Sequence, residues 1–197
     1  MEELYIIVVG SSGAGKTRIA QLICEMYPKC MSSVSNTDRS PRGKETHAVD
    51  YYFRHPDKFD LMLTNDEFAE HNPNYVGKRY GTTKLELQRI LDLGKIPVLD
   101  IDYVGAEQMR TLYGQKAYIV FIESPIELAR KRLKERYDLS DEEIEGRLKR
   151  AVEEEIPFAY SRPDVFDVIV ENKENTVLDV LANQILNAAL EKQKALV

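Results

Sequence analysis

The run Gly10-Ser11-Ser12-Gly13-Ala14-Gly15-Lys16-Thr17 sets three spaced glycines before a lysine and a hydroxyl. Glycines let successive backbone N–H groups turn toward phosphate oxygens, and a helix starting at Thr17 adds the positive end of its dipole to the same spot. The Lys16 ammonium is then expected at the outer phosphates of a nucleoside triphosphate and the Thr17 hydroxyl at Mg²⁺. A second set, Arg39 and Arg42, lies on one irregular stretch, where two planar guanidinium forks with nearby tyrosines suit a phosphate dianion. A third set is Arg132 and Arg136, four apart and so on one helix face, with Arg147 beyond the turn at 138–140. Asp100 ends an apolar run and suits the organisation of Mg²⁺ and its waters; it or Asp102 could instead cap the next helix, expected at 106–112.

These groups need a frame, and the chain supplies an alternating one. Strand-like runs at 4–9, 96–101, 117–122 and 165–170 are separated by helical patterns, which is the order of an α/β protein with a parallel sheet. Helix starts are expected at Ser124-Pro125-Ile126-Glu127, at Ser140-Asp141-Glu142-Glu143 and at Thr176-Val177-Leu178-Asp179, each a hydroxyl cap with an acid three residues on. Helical spacing of Ile144, Leu148, Ala151 and Val152 is expected to run until Pro157. The segment 33–83 breaks the rhythm: it is rich in Tyr, Arg and Asn, and reads as a small β-rich insertion with one helix near 57–63. Placed between the first and second core strands, it would overhang the phosphate loop at the sheet edge where α/β folds bind ligands.

Composition narrows the partners. A length of 197 residues fits one domain with a real core. The formal charge of −6 argues against nucleic acid, since a polyanion needs a basic face. No run is long enough to span a membrane and no signal peptide is visible, so the expectation is a cytoplasmic protein. Cys24 and Cys30 match no zinc spacing and read as free thiols; His47, His55 and His71 show no ligand spacing either.

The insertion carries a composite motif: Ser33-Val34-Ser35 with Thr37, Arg39, Pro41 and Arg42, then Asp50-Tyr51 with Phe53, then Phe68 with Glu70, then Tyr80-Gly81-Thr82, and finally Asp100-Ile101-Asp102. With the phosphate loop, this set resembles the guanylate kinase family across nearly the whole chain. The resemblance implies a P-loop NTPase-type parallel sheet flanked by helices, an acceptor-binding insertion over 33–83 and a helical lid over 132–157, all within one domain. It implies transfer of the γ-phosphoryl group of ATP to GMP or dGMP with Mg²⁺, in purine nucleotide metabolism, by a monomer or homodimer.

By the same resemblance, ATP lies on residues 10–17 and Asn172, Mg²⁺ on Thr17 and Asp100, and the catalytic charges are Lys16, Arg132, Arg136 and Arg147. The GMP phosphate falls to Arg39, Arg42, Tyr51 and Tyr80, with Glu45 and Asp102 in the acceptor set. Glu70 is the base reader, since a carboxylate only accepts while guanine offers N1–H and an amino group on one edge, and adenine would present a lone pair. Ser35 and Thr82 complete that edge. Rival readings are a catalytically inactive interaction module and a P-loop kinase for another phosphorylated acceptor.

The chain also departs from the family pattern. Ala48 and Lys44 stand where glycine is usual, Lys78 and Arg79 replace an Asn-Tyr pair, Val104 replaces a glutamine, and Asp38 adds a negative charge beside Arg39.

Overall fold

The computed structural model describes residues 3–75, 78–136 and 139–196. Its main sheet is built from β1 (Tyr5–Gly10), β2 (Cys30–Ser32), β7 (Ile96–Asp100), β8 (Ala117–Glu123) and β9 (Val168–Glu171), in the order β2-β7-β1-β8-β9. Every pairing in it is parallel. β1 is central, and its residues alternate between two cores as a pleated strand must. Leu4, Ile6 and Val8 pack toward α1 (Lys16–Met26) and α8 (Leu178–Ala195); Tyr5, Ile7 and Val9 pack toward α4 (Tyr103–Tyr113). Full burial of each aliphatic side chain is worth about 1.5–3 kcal/mol, so both faces of this strand hold the frame together.

Residues 33–83 form a second sheet, β4-β3-β6-β5, from β3 (Asn36–Thr37), β4 (Tyr52–Phe53), β5 (Phe68–Tyr75) and β6 (Lys78–Thr83), with α2 (Pro56–Thr64) beside it. Phe59, Met62 and Phe68 give it a small core of its own. α3 (Lys84–Asp92) returns the chain to β7 and is capped by the Thr83 hydroxyl.

Four local expectations are corrected. The strand expected at 165–170 begins at Val168, because Val165 and Phe166 turn into the core first. Ser124 does not cap α5 (Ile126–Arg136): its hydroxyl donates to the Asn172 carbonyl instead. Thr176 does not cap α8, whose first residue follows Val177 with no side-chain cap. Pro157 does not end its helix either. α6 (Asp141–Arg150), which carries the expected Ser140–Glu143 capping box, passes through a π-helical turn at Ala151–Glu155 into α7 (Ile156–Ser161). Proline near the start of α7 is tolerated because the wider π turn has already broken the regular hydrogen-bond ladder.

Candidate active site

The phosphate loop connects β1 to α1. Gly10 closes β1 so near β8 that a β-carbon there would lie 2.3 Å from the Ile122 carbonyl oxygen. Gly13 and Gly15 hold φ of 79° and 91°, which side chains resist. α1 then starts without a side-chain cap and without an acid in its first turn, leaving its leading N–H groups for a ligand. The loop is clamped from outside. Asn172, 1% exposed, donates to the Ala14 carbonyl at 2.8 Å. Arg132 reaches the Gly13 carbonyl (3.4 Å), the Ser124 hydroxyl (3.2 Å) and the Asn172 side-chain oxygen (3.3 Å). Of the residues expected on the donor side, Asn172 and Arg132 thus sit at the loop's backbone rather than free beside it. Burial lowers the pKa of Arg132 from its ordinary value, yet the guanidinium keeps its charge beside the loop.

The Thr17 hydroxyl donates to Asp100 Oδ2 at 2.5 Å, and parallel pairing of Val8 with Asp100 explains the meeting. Asp100 Oδ1 is buried without a protein partner. An anionic oxygen left over beside a hydroxyl fits Mg²⁺, which takes few protein ligands and keeps waters and phosphate oxygens for the rest.

Across the cleft, Arg39 is 8% exposed and nearly saturated. Its guanidinium meets Glu45 through two bonds of 2.6 and 2.7 Å, donates to the Tyr80 hydroxyl at 3.0 Å and lies 4.9 Å from the Tyr51 ring centre. Glu45 therefore fixes the fork, and the arginine in turn lowers the Glu45 pKa. The exposed Arg42 donates its backbone N–H to the same Glu45 carboxylate. Burial pushes the Tyr51 phenol up to about 12, with Tyr80, whose ring centre lies 5.7 Å away, and the charge of Asp100 adding to the rise.

At the other end of the insertion, Glu70 is 4% exposed and accepts the Thr82 N–H at 2.7 Å. The Ser35 and Thr82 hydroxyls share a 3.0 Å hydrogen bond beside it. Burial raises the Glu70 carboxyl to about 7, Asp102 adding to the rise while Thr82 opposes it. Asp102 does cap α4, accepting from Val104 and Gly105, but its other oxygen takes the Asn72 amide at 2.7 Å. The helix-cap reading of that carboxylate is therefore realised, and its second oxygen ties it to β5.

The backbone of α5 includes Arg136, whose side chain lies outside the described residues. The Ser140 backbone N–H in the capping box holds the Glu143 carboxyl below its usual range, with smaller contributions from Arg147 on α6 and from Arg42.

Sequence reasoning missed several contributors. Arg79 pairs with Asp38 at 2.6 Å and with Asp60, so two departures from the family pattern neutralise each other. Ala48 adopts φ of 65°, the conformation for which the family's glycine is suited, whereas Lys44 follows a left-handed Gly43 that already makes the turn. Glu155, 3% exposed, has its carboxyl raised by burial, with Lys16 and Arg150 opposing the rise, and it pairs with Arg150, whose Nε lies 3.6 Å from Oε1. Its signal was available: it falls on the stripe of Ile144, Leu148, Ala151 and Ala159, where a charge is out of place.

Comparison with known proteins agrees with this arrangement. The family model described as guanylate kinase matches residues 2–192. A guanylate kinase of Porphyromonas gingivalis is 40% identical over 157 residues, covering 79% of this chain and 83% of the relative. One of Bacteroides fragilis is 36% identical over 172 residues, covering 87% and 82%. The crystal structure of guanylate kinase from Anaplasma phagocytophilum superimposes with a TM-score of 0.72 at 25% identity, over 97% of this chain and 86% of that one. A shikimate kinase from Acinetobacter baumannii, at 18% identity and a TM-score of 0.51 over 96% and 94%, shares the fold. With the family model spanning the phosphate loop, the insertion and the arginine-bearing helices together, this chain belongs to the guanylate kinase family.

Proposed function

We propose that this protein transfers the γ-phosphoryl group of ATP to the phosphate of GMP, giving ADP and GDP, as part of purine nucleotide metabolism in the cytoplasm. One observation carries the choice of acceptor: a buried carboxylate, Glu70, beside the Ser35 and Thr82 hydroxyls, stands on β5, paired with the strand β6 that carries Tyr80, whose hydroxyl accepts from Arg39 and whose ring lies 5.7 Å from that of Tyr51. Guanine supplies two donors to that carboxylate, and the monophosphate reaches the arginine and tyrosines.

Such a reaction needs no covalent intermediate, because an acceptor phosphate oxygen attacks the γ-phosphorus in line and the protein contributes position and charge. The loop amides and Lys16 hold the donor phosphates. Arg132 keeps the loop in shape while presenting charge beside it, and Arg147 and Arg136 are assigned to the transferring group when the lid at 132–157 closes on the insertion at 33–83. Thr17 and Asp100 would hold Mg²⁺, which would supply charge neutralisation at the donor phosphates. No helix among the described residues is long and apolar enough to cross a membrane, in keeping with soluble substrates.

Phosphorus NMR of the protein with ATP, GMP and Mg²⁺ tests the reading. ADP and GDP signals should grow together as ATP and GMP decline; ADP rising with inorganic phosphate instead would show water, not GMP, to be the acceptor.

A further inference from the structure

β5 is the outermost strand of the small sheet, so one of its edges has no neighbouring strand. Backbone groups on such an edge stay unpaired unless something else takes them. At His71 a side chain does so. The His71 N–H donates to Gln108 Oε1 at 3.0 Å, and Gln108 Nε2 donates back to the His71 carbonyl at 2.7 Å and to the Val104 carbonyl of its own helix at 3.3 Å. The amide thus stands where a further strand's peptide group would stand, with both hydrogens of its nitrogen used.

This clasp sits in the middle of the acceptor edge. Side chains alternate along a strand, so Glu70 and Asn72, on either side of His71, share one face. Gly105 abuts Glu70, and Asp102 accepts from the Asn72 amide, so residues about one turn apart at the start of α4 answer to Glu70, His71 and Asn72 in turn. Pairing with β6 does not fix this stretch alone, because the register shifts on both sides of it, between Phe68 and Glu70 and between Asn72 and Tyr75. Packing does not fill the junction either: a cavity of about 560 Å³, with Leu63, Phe68, His71, Gln108 and Leu112 in its lining, opens between β5 and α4.

We propose that Gln108 is a positioning residue for acceptor selection: its amide clasps the free edge of β5 at His71 and thereby sets the reach of Glu70 toward the base. This rests on the reading of Glu70 as the guanine reader. Because α4 follows Asp100 and Asp102 directly, the clasp also ties that reader to the strand end that carries the Thr17–Asp100 pair.

Steady-state kinetics of the full-length protein, with GMP, AMP and ATP varied in turn, test this. Gln108→Met keeps the length of the side chain and loses both strand hydrogen bonds. KM for GMP should rise about tenfold while KM for ATP and kcat stay within about twofold of the parent, so the preference for GMP over AMP falls by the same factor. Gln108→Glu, which turns an oxygen on the His71 carbonyl, should also raise KM for GMP and serves if Gln108→Met does not fold. Combining Gln108→Met with Glu70→Gln should leave KM for GMP where Glu70→Gln alone puts it, because the clasp acts through that carboxylate. In the parent, hydrogen exchange at the His71 amide should be slow, and slower still with GMP bound. The parent's KM for GMP in a folded Gln108 variant, equal losses toward ATP and GMP, additive losses in the double variant, or a His71 amide exchanging as fast as a free edge group would each overturn the proposal, while a parent that prefers GMP to AMP kept the guanine reading in place. A parent without that preference would overturn both.

Discussion

Gly105 lies directly against Glu70: a β-carbon built on Gly105 falls 2.3 Å from Oε2 and 3.2 Å from Cδ. That contact sets how far the carboxylate can retreat from a base. Gly105→Ala must push it out of line, so KM for GMP should rise by about tenfold or more while KM for ATP holds, as expected when a site's hydrogen-bonding partner is displaced. Steady-state kinetics with each substrate varied in turn would show the split. Equal GMP affinity in this variant would mean that Glu70 does not read the acceptor.

The same carboxylate gives a pH signature. Burial raises Glu70 to about 7, and only the ionised form accepts both guanine donors. KM for GMP should therefore be flat above about pH 7 and climb as pH falls below it, binding then being coupled to proton release. The effect on stability has the opposite sense. A carboxyl raised on folding contributes stability that is fully present below its unfolded pKa and is lost as pH rises through about 7. Glu70→Gln should abolish both dependences, which acceptor titrations and thermal melts across this range would read.

Local chemistry was legible in the sequence, and distance set the limit. Gly10 to Thr17, the strand before it and the Ser140–Glu143 box are contiguous signals, and each appears in the structure. The three-residue edge strand β2 is too short to carry a pattern. The Arg79–Asp38 pair spans 41 positions and Arg132 meets the Gly13 carbonyl across 119, so neither has a sequence signature. At Thr176 the pattern was present but α8 starts without a side-chain cap, and at Ser124 tertiary contacts won, its hydroxyl being taken by Asn172 and Arg132. Glu155 sat in a run of three acids that resembles a solvated face, and only the apolar stripe around it points inward.

The Asp38–Arg79 pair predicts a compensated substitution. Losing Arg79 alone leaves Asp38 unneutralised beside Arg39 and frees it to draw that guanidinium from the phosphate position. Arg79→Ala should raise KM for GMP several-fold with little change in kcat. Adding Asp38→Asn should bring KM most of the way back, since the offending charge is then absent. An additive loss in the double variant would show that the pair acts through packing instead.

Ala48 holds φ of 65°, where its β-carbon is disfavoured by about 1–2 kcal/mol relative to glycine before glycine's own entropy cost is counted. Ala48→Gly should leave the stability of the main sheet unchanged or raise it by up to about 1 kcal/mol, measured by denaturant melts. Because the turn leads into Tyr51, it should also lower KM for GMP; a clear loss of stability would show that the left-handed backbone here is not strained.

The account stands most directly on acceptor choice. The decisive measurement is kcat/KM for ADP formation from Mg²⁺–ATP with GMP, dGMP, AMP, UMP and ribose phosphates as acceptors. GMP, with or without its 2′-hydroxyl, should exceed AMP by roughly 10⁴-fold, the discrimination open to a site built on buried hydrogen bonds. That margin should collapse in Glu70→Gln, and Lys16→Ala should lower the rate with every acceptor by orders of magnitude. ADP formation that is equal for GMP and AMP, that favours a ribose phosphate, or that stays at background with all of them would contradict the account.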